Sequence, residues 1–302
     1  MNYKINKDIK YNLLTSLYLY FFLLTIPYFI ILLGEYSISF KHTTIFLIAF
    51  FYSIMSFIIT VFTYKKTNNS KTRSIELRKG FLAVFTYFFT SVFEGNIIYL
   101  IQPNLPNLPL FIKTLYLSFY EIIQICIIVY ILKDKLNKDI KDIKKNHKTY
   151  FSKYGKYYLL SLVVMFISNI AISLINPDHI AGNEQTIREL FSKAPIYMYF
   201  SAVIVAPILE ELTFRQGIRN IFTNDKVFII ISGLIFGGLH IIGNVNSPVD
   251  LLYLIPYSAP GIAFAYMLVK TKNIFTSMGF HFLHNGITMT LQLLLMFLGR
   301  LI

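Results

Sequence analysis

The chain has 302 residues, 55% of them hydrophobic and 14% charged, with a mean hydropathy of +0.58, a profile that excludes an ordinary soluble domain and points to a polytopic membrane protein. The net charge of +13 would suit a nucleic-acid binder, but the basic residues fall in short loops between apolar runs, so they are read as membrane-orienting and no nucleic-acid partner is expected. The single cysteine, Cys126, lies in an apolar run and leaves no internal disulfide and no Cys-rich metal cluster.

Nine apolar runs of near-spanning length follow one another at about 11–34, 43–64, 80–101, 114–132, 157–175, 197–222, 227–242, 250–269 and 274–298. Lipid offers backbone groups no partner, so each run should be a helix, giving an all-α transmembrane bundle of eight or nine spans. The first run is too long for a removed signal peptide and lacks a small-residue cleavage site, so it is read as a retained anchor. With the N-terminus in the cytoplasm, the inside receives Lys4, Lys7, Lys10, six basic residues over 65–79, nine lysines over 133–156, and Arg215, Arg219, Lys226, Lys270 and Lys272. Only Lys41, Lys113, Arg188, Lys193 and Arg300 fall outside, so the positive-inside rule favours an N-in orientation in a plasma membrane.

The stretch 133–156 sets nine lysines against Asp134, Asp139 and Asp142, and reads either as an amphipathic cytoplasmic helix near anionic headgroups or as a solvated linker. It divides the chain into a four-span region, 1–156, with few functional signals, and a region 157–302 that holds every candidate site. Glu94 and Glu121 stand in the third and fourth runs without a motif and read as structural or cavity-facing. The loop from Asn176 to Pro195 contains a candidate surface helix around Asn183 to Phe191.

Charge inside an apolar span costs several kcal/mol unless paired or solvated, which makes Glu210, Glu211 and Arg215 the centre of the chain. On a helix Glu211 and Arg215 share a face while Glu210 is rotated by about 100°, so Arg215 should neutralise Glu211 and leave Glu210 free. Pro207 just upstream can distort the span and admit water. The next run places His240 after Phe236, Gly237 and Gly238, glycines that allow close helix approach. The last run puts His281 and Asn285 on one face, with His284 beside them. At 1.5 Å per residue Glu210 lies about 18 Å from the inner end of its span, His240 about 21 Å, and His281 and Asn285 about 12 and 18 Å, so they can share one cavity. A carboxylate and an imidazole can together activate a water, and a second imidazole with a carboxamide can stabilise the oxyanion that forms.

Glu210-Glu211-x-x-x-Arg215, Phe236-x-x-x-His240 and His281-x-x-x-Asn285, in this order on successive spans, resemble the motif set of the CPBP family, the CAAX prenyl proteases and bacteriocin-processing proteases also grouped as Abi. The resemblance covers about residues 160–298. It implies that Glu210 and His240 activate water, that His281 and Asn285 form the oxyanion site, and that Glu211, Arg215 and Phe236 support it. The family has been described both as metalloproteases and as glutamate-type proteases. A divalent metal such as zinc is therefore one reading, with Glu210, His240 and His281 as its ligands, and a metal-free mechanism the other.

Other readings stay open at this point. The Glu210, Glu211 and Arg215 cluster would also suit a structural ion pair or a proton or ion path in a transporter, and Asn285 would also suit a bond to a neighbouring helix. Other intramembrane proteases lack support, since no His-Glu-x-x-His, Gly-x-Gly-Asp or Gly-x-Ser-x-Gly occurs. The expectation is an intramembrane endopeptidase acting on peptide or membrane-protein substrates, such as leader peptides, pheromones or bacteriocin precursors. A non-catalytic immunity or scaffold protein and a small-solute transporter are the rivals, although no inverted repeat is visible.

Overall fold

The computed structural model describes residues 75–77, 79–87, 108–177, 180–241, 245 and 247–299. The expected spans at 11–34 and 43–64, most of the third, and Glu94 lie outside the described residues. Among the described residues every regular element is helical.

The first labelled helix, α1, runs from Leu110 to Ile175. It joins the expected fourth and fifth spans and the lysine-rich stretch between them into one 66-residue element, so that stretch is helix and not linker. The reason is local: from Lys133 to Lys153 no glycine or proline interrupts a run of Lys, Leu, Ile and Asp, whose propensities permit helix throughout. The expected boundary at 156/157 falls inside α1. Eight of the nine lysines are exposed, whereas the acids turn to neighbours. Asp134 receives Lys79 Nζ at 2.6 Å, Asp139 pairs with Lys135, and Asp142 accepts from Asn146 and Tyr150.

The remaining elements are α2 (Gly182–Lys193), α3 (Pro195–Ile221), α4 (Asp225–Ile241), a 3₁₀ turn (Pro248–Tyr253) leading into α5 (Leu254–Thr271), and α6 (Ile274–Gly299). Their positions agree with the last four expected spans and with the expected surface helix. Four helices among the described residues are long and apolar enough to cross a membrane: α1, α3, α5 with its preceding turn, and α6. The 17 residues of α4 would rise about 25 Å.

Junctions are fixed by side chains. Asn224 Oδ1 accepts the Val227 N–H at the start of α4, and Ser247 and Asp250 form a capping box on the 3₁₀ turn. Between α5 and α6, Lys272 adopts a left-handed conformation (φ 55°) and its carbonyl accepts from Lys135. Asn273 donates to the Asp139 carbonyl and to Asp142 Oδ2, while Asp139 Oδ2 accepts the Ile274 N–H. The lysine-rich part of α1 thereby anchors the start of the helix that carries His281.

The main core joins Ile128, Leu132 and Leu136 of α1 to Val205, Leu209, Leu212 and Phe214 of α3, Phe228 and Phe236 of α4, and Ile274 and Met278 of α6. A second core places Tyr154 and Tyr158 of α1 on Phe264, Met267 and Phe280. Helices α4 and α5 approach through Gly233 and Gly237: a Cβ on Gly237 would fall 2.2 Å from Ser258 Oγ, and one on Gly233 2.4 Å from the Ile262 side chain. Gly238, expected to share that role, faces open space.

Candidate functional site

Helix α3 is irregular where its polar residues lie. Its turns at Ser201–Val205 and Glu211–Gly217 are π-helical, on either side of an α-helical Ala206–Glu210. Pro207 has no N–H for the Val203 carbonyl, so a regular α bond is unavailable there and the widened turn precedes it. One freed acceptor is used across the bundle, since Asn285 Nδ2 donates to the Ala202 carbonyl at 2.7 Å.

The rotation between the two glutamates has the expected result. Glu211 and Arg215 are fully buried, with Arg215 Nε 3.4 Å from Glu211 Oε1, an ion-pair distance without hydrogen-bond alignment. The guanidinium also lies over the Phe236 ring, 4.4 Å from its centroid. Glu210 keeps 18% of its side chain exposed and lines a cavity of about 680 Å³.

His281 connects the two carboxylates. Its Nδ1 is 3.1 Å from Glu211 Oε1 and its Nε2 is 3.7 Å from Glu210 Oε2, while its ring stacks on Phe264 at 5.1 Å. His240 is oriented differently. Its Nδ1 lies 2.8 Å from the Phe236 carbonyl, which can only accept, so Nδ1 donates there and Nε2 is the ring nitrogen not used in that bond. Phe236 and Tyr257 flank that ring at 4.7 and 5.0 Å.

Glu210, His240, His281, His284 and Asn285 all line the one cavity, whose other walls include Met165, Phe191, Pro260, Met289 and Met296. The structure thus brings together the four residues expected to be catalytic, with Phe236 in the same cavity wall, Glu211 against His281 and Arg215 against Phe236. Sequence reasoning did not find Tyr257, which stacks on His240, or Tyr158, whose hydroxyl lies 3.4 Å from His284 Nδ1. Neither carries a motif, and Tyr158 is 126 positions from its partner. Glu121 accepts from Ser201 Oγ at 3.2 Å, facing α3 and not this cavity.

Glu210, His240 and His281, the expected metal set, line the same cavity, and each histidine has its Nδ1 against an oxygen, the Phe236 carbonyl for His240 and Glu211 for His281, an arrangement that would leave both Nε2 atoms to a metal. Among the described residues no three His, Cys, Asp or Glu side chains stand together as metal ligands.

Comparison with known proteins bears on residues 192–287, which match the family described as type II CAAX prenyl endopeptidase Rce1-like. The UPF0177 protein YvdC of Lactococcus lactis subsp. lactis (strain IL1403) is 26% identical over 139 residues, covering 46% of this chain and 51% of that protein. The membrane-embedded CAAX protease MroQ of Staphylococcus aureus (strain USA300) is 28% identical over 145 residues, 45% of this chain and 55% of that one. YdiL of Bacillus subtilis (strain 168), provisionally named a membrane peptidase, is 32% identical over 114 residues, 37% of this chain and 43% of that one. The chain spans about half the length of the curated relatives it matches. No solved structure matches. Glu210, Glu211, Arg215, His240, His281 and Asn285 all fall inside the matched segment, so the C-terminal half of the chain is similar to CPBP-type membrane proteases in the stretch that holds the site.

Proposed function

We propose that the protein is an intramembrane endopeptidase that hydrolyses peptide bonds with a water activated by Glu210 and His240. The observation that carries this reading is a single cavity lined by both the Glu210 carboxylate and the His240 imidazole, whose Nδ1 is turned to the Phe236 carbonyl. A water there donates one hydrogen to Glu210 and the other to His240 Nε2. As Glu210 takes its proton, the water oxygen bonds to the substrate carbonyl carbon and the carbonyl π electrons move to oxygen. Collapse of that oxyanion breaks the C–N bond, and the departing nitrogen needs a proton. His281 suits this transfer: Glu211 orients it through Nδ1, its Nε2 faces Glu210, and a separation of 3.7 Å before substrate binds is compatible with closer approach later. Arg215 stands 3.4 Å from Glu211 and helps to hold it in place.

The walls favour an extended apolar segment. Met165, Met289 and Met296 are unbranched and adaptable, and Phe191 supplies a rigid face. Leader peptides, pheromones and bacteriocin precursors are substrates of this kind, and the exposed lysines of α1 suit anionic lipid headgroups beside them. Comparative peptidomics of cells carrying wild-type protein or the Glu210→Gln variant tests the assignment. Processing should fall about 10²–10⁴-fold, the usual weight of a general base, with the variant inserted at wild-type level. A phenotype that persists in Glu210→Gln would instead identify a binding or immunity role.

A further inference from the structure

Helix α3 carries one carbonyl that its own backbone does not serve. In α-helical register the Ala202 carbonyl would accept from the N–H of Ala206, but in the π turn Ser201–Val205 that N–H is given to the Ser201 carbonyl. In π-helical register it would accept from residue 207, which is proline and has no N–H. An unmet carbonyl in an apolar span is costly, and here the donor comes from another helix: Asn285 Nδ2 of α6, at 2.7 Å. A carbonyl can only accept, so this bond turns the nitrogen of the carboxamide toward α3, and because the group is planar it also fixes the direction of the second N–H. Asn285 lines the cavity together with Glu210 and His240. The turn is held from α1 as well, where Glu121 Oε1 accepts from Ser201 Oγ at 3.2 Å.

We propose that Pro207 is a positioning residue for Asn285: by withholding an N–H at 207 it reserves the Ala202 carbonyl for the carboxamide, and so aims the second N–H of Asn285 at the substrate carbonyl oxygen. This rests on the endopeptidase reading, in which Asn285 with His281 is expected to stabilise the oxyanion, and adds to it a residue outside the three motifs. Any N–H at 207 competes for the same acceptor. If it continued the π turn it would reach Ala202 directly; if it reached Val203 in α register, the Ala206 N–H would return to Ala202. Both routes fill the carbonyl from the backbone and release Asn285. A proline inside a helix is ordinarily unfavourable, and here the bond it removes from α3 reappears between α3, which carries Glu210, and α6, which carries His281.

Two replacements of Pro207, made in the full chain in lipid nanodiscs, separate the N–H from the ring. Pro207→Ala restores an N–H, whereas lactic acid at position 207, introduced by nonsense suppression, has the same methyl side chain with an ester oxygen where alanine has its N–H. Cleavage of an internally quenched apolar decapeptide is followed, with Glu210→Gln as the inactive control. Pro207→Ala should lose about 10-fold in kcat with little change in KM, less than the roughly 10²–10³-fold expected when Asn285→Ala removes the donor outright. The lactic acid variant should stay near wild type. In the Asn285→Ala background Pro207→Ala should cause no further loss, because both changes remove one interaction. Wild-type kcat in Pro207→Ala overturns the proposal, as do a lactic acid variant equally slow and an undiminished loss in the Asn285→Ala background. A second measurement, ¹⁵N NMR of asparagine-labelled protein, needs no substrate. The Asn285 side-chain amide, identified by its absence from Asn285→Ala, should show one hydrogen protected from exchange in the wild type and the lactic acid variant and none in Pro207→Ala, and protection that survives in Pro207→Ala refutes the competition. If the wild type leaves the decapeptide intact while this pattern holds, the endopeptidase reading fails on that probe and the hold of Pro207 over the Ala202–Asn285 bond stands.

Discussion

The floor of the cavity and its mouth each contain a glutamate and an arginine four residues apart on a helix, and the two pairs lie in different media. On α2 at the mouth, Arg188 Nε meets Glu184 Oε1 at 2.8 Å with the side chains 56% and 38% exposed. On α3 at the floor, Arg215 and Glu211 stand 3.4 Å apart, both fully buried. The closer pair is the one water can replace. The longer pair cannot be replaced by solvent, because each partner is the other's main compensation for a large desolvation penalty. The same i,i+4 pattern therefore means a weak surface contact in one region and an obligatory one in the other.

Breaking the floor pair should have the largest effect on stability. Arg215→Met leaves Glu211 buried beside His281 without its cation and should lower unfolding stability by about 3–5 kcal/mol, measured as a fall in the thermal midpoint of the purified protein. The double variant Glu211→Leu with Arg215→Met removes both charges and should recover most of that loss, since buried pairs are often replaceable by apolar residues of similar volume. It should still fail to cleave, because His281 loses the carboxylate that orients Nδ1. Recovery of cleavage together with stability would show that Glu211 is dispensable to the chemistry.

This division between floor and mouth was partly legible in the sequence. Charge inside an apolar run is conspicuous, so Glu210, Glu211 and Arg215 stood out, and helical spacing sufficed to separate the glutamate that faces Arg215 from the one that lines the cavity. It also placed His281 and Asn285 on one face. What spacing could not give was the partner of each: that His281 Nδ1 meets Glu211, that Asn285 meets Ala202, or that His240 is held by Phe236. Aromatic neighbours such as Tyr158 and Tyr257 were hidden among 22 Tyr and 29 Phe, where one ring carries no more signal than another. The continuity of α1 was missed for a related reason, since a lysine-rich interval between two apolar runs looks like a loop by hydropathy while its helix propensity says otherwise.

An intermediate effect is expected where α4 meets α5. Gly237→Val would set a Cβ 2.2 Å from Ser258 Oγ and 2.8 Å from its backbone nitrogen, and backbone cannot yield as a flexible side-chain tip can. Overpacking of this kind costs about 1–3 kcal/mol, and His240, three residues on, should move with α4, so cleavage should fall along with the thermal midpoint. Gly238→Ala is the matched control, since a Cβ there meets nothing within 4 Å and the change should leave both readings near wild type. Equal damage from the two substitutions would mean that helix propensity and not the close approach matters at these positions.

The mouth pair should give the smallest change. Arg188→Ala removes an exposed i,i+4 contact of a class worth about 0.3–0.5 kcal/mol. Salt already weakens such a contact, so 1 M NaCl should shrink the difference between wild type and variant. Helix α2 has other attachments: Phe191 is buried with Met198 and Met289, and Lys193 is followed by only Ala194 before α3 begins. Its position over the cavity should therefore survive the loss of the pair, and peptide cleavage should change less than twofold. A loss of stability above 1 kcal/mol that persists at high salt would mean that Arg188 is held in a medium closer to that of Arg215, and that the mouth is sealed and not open to water.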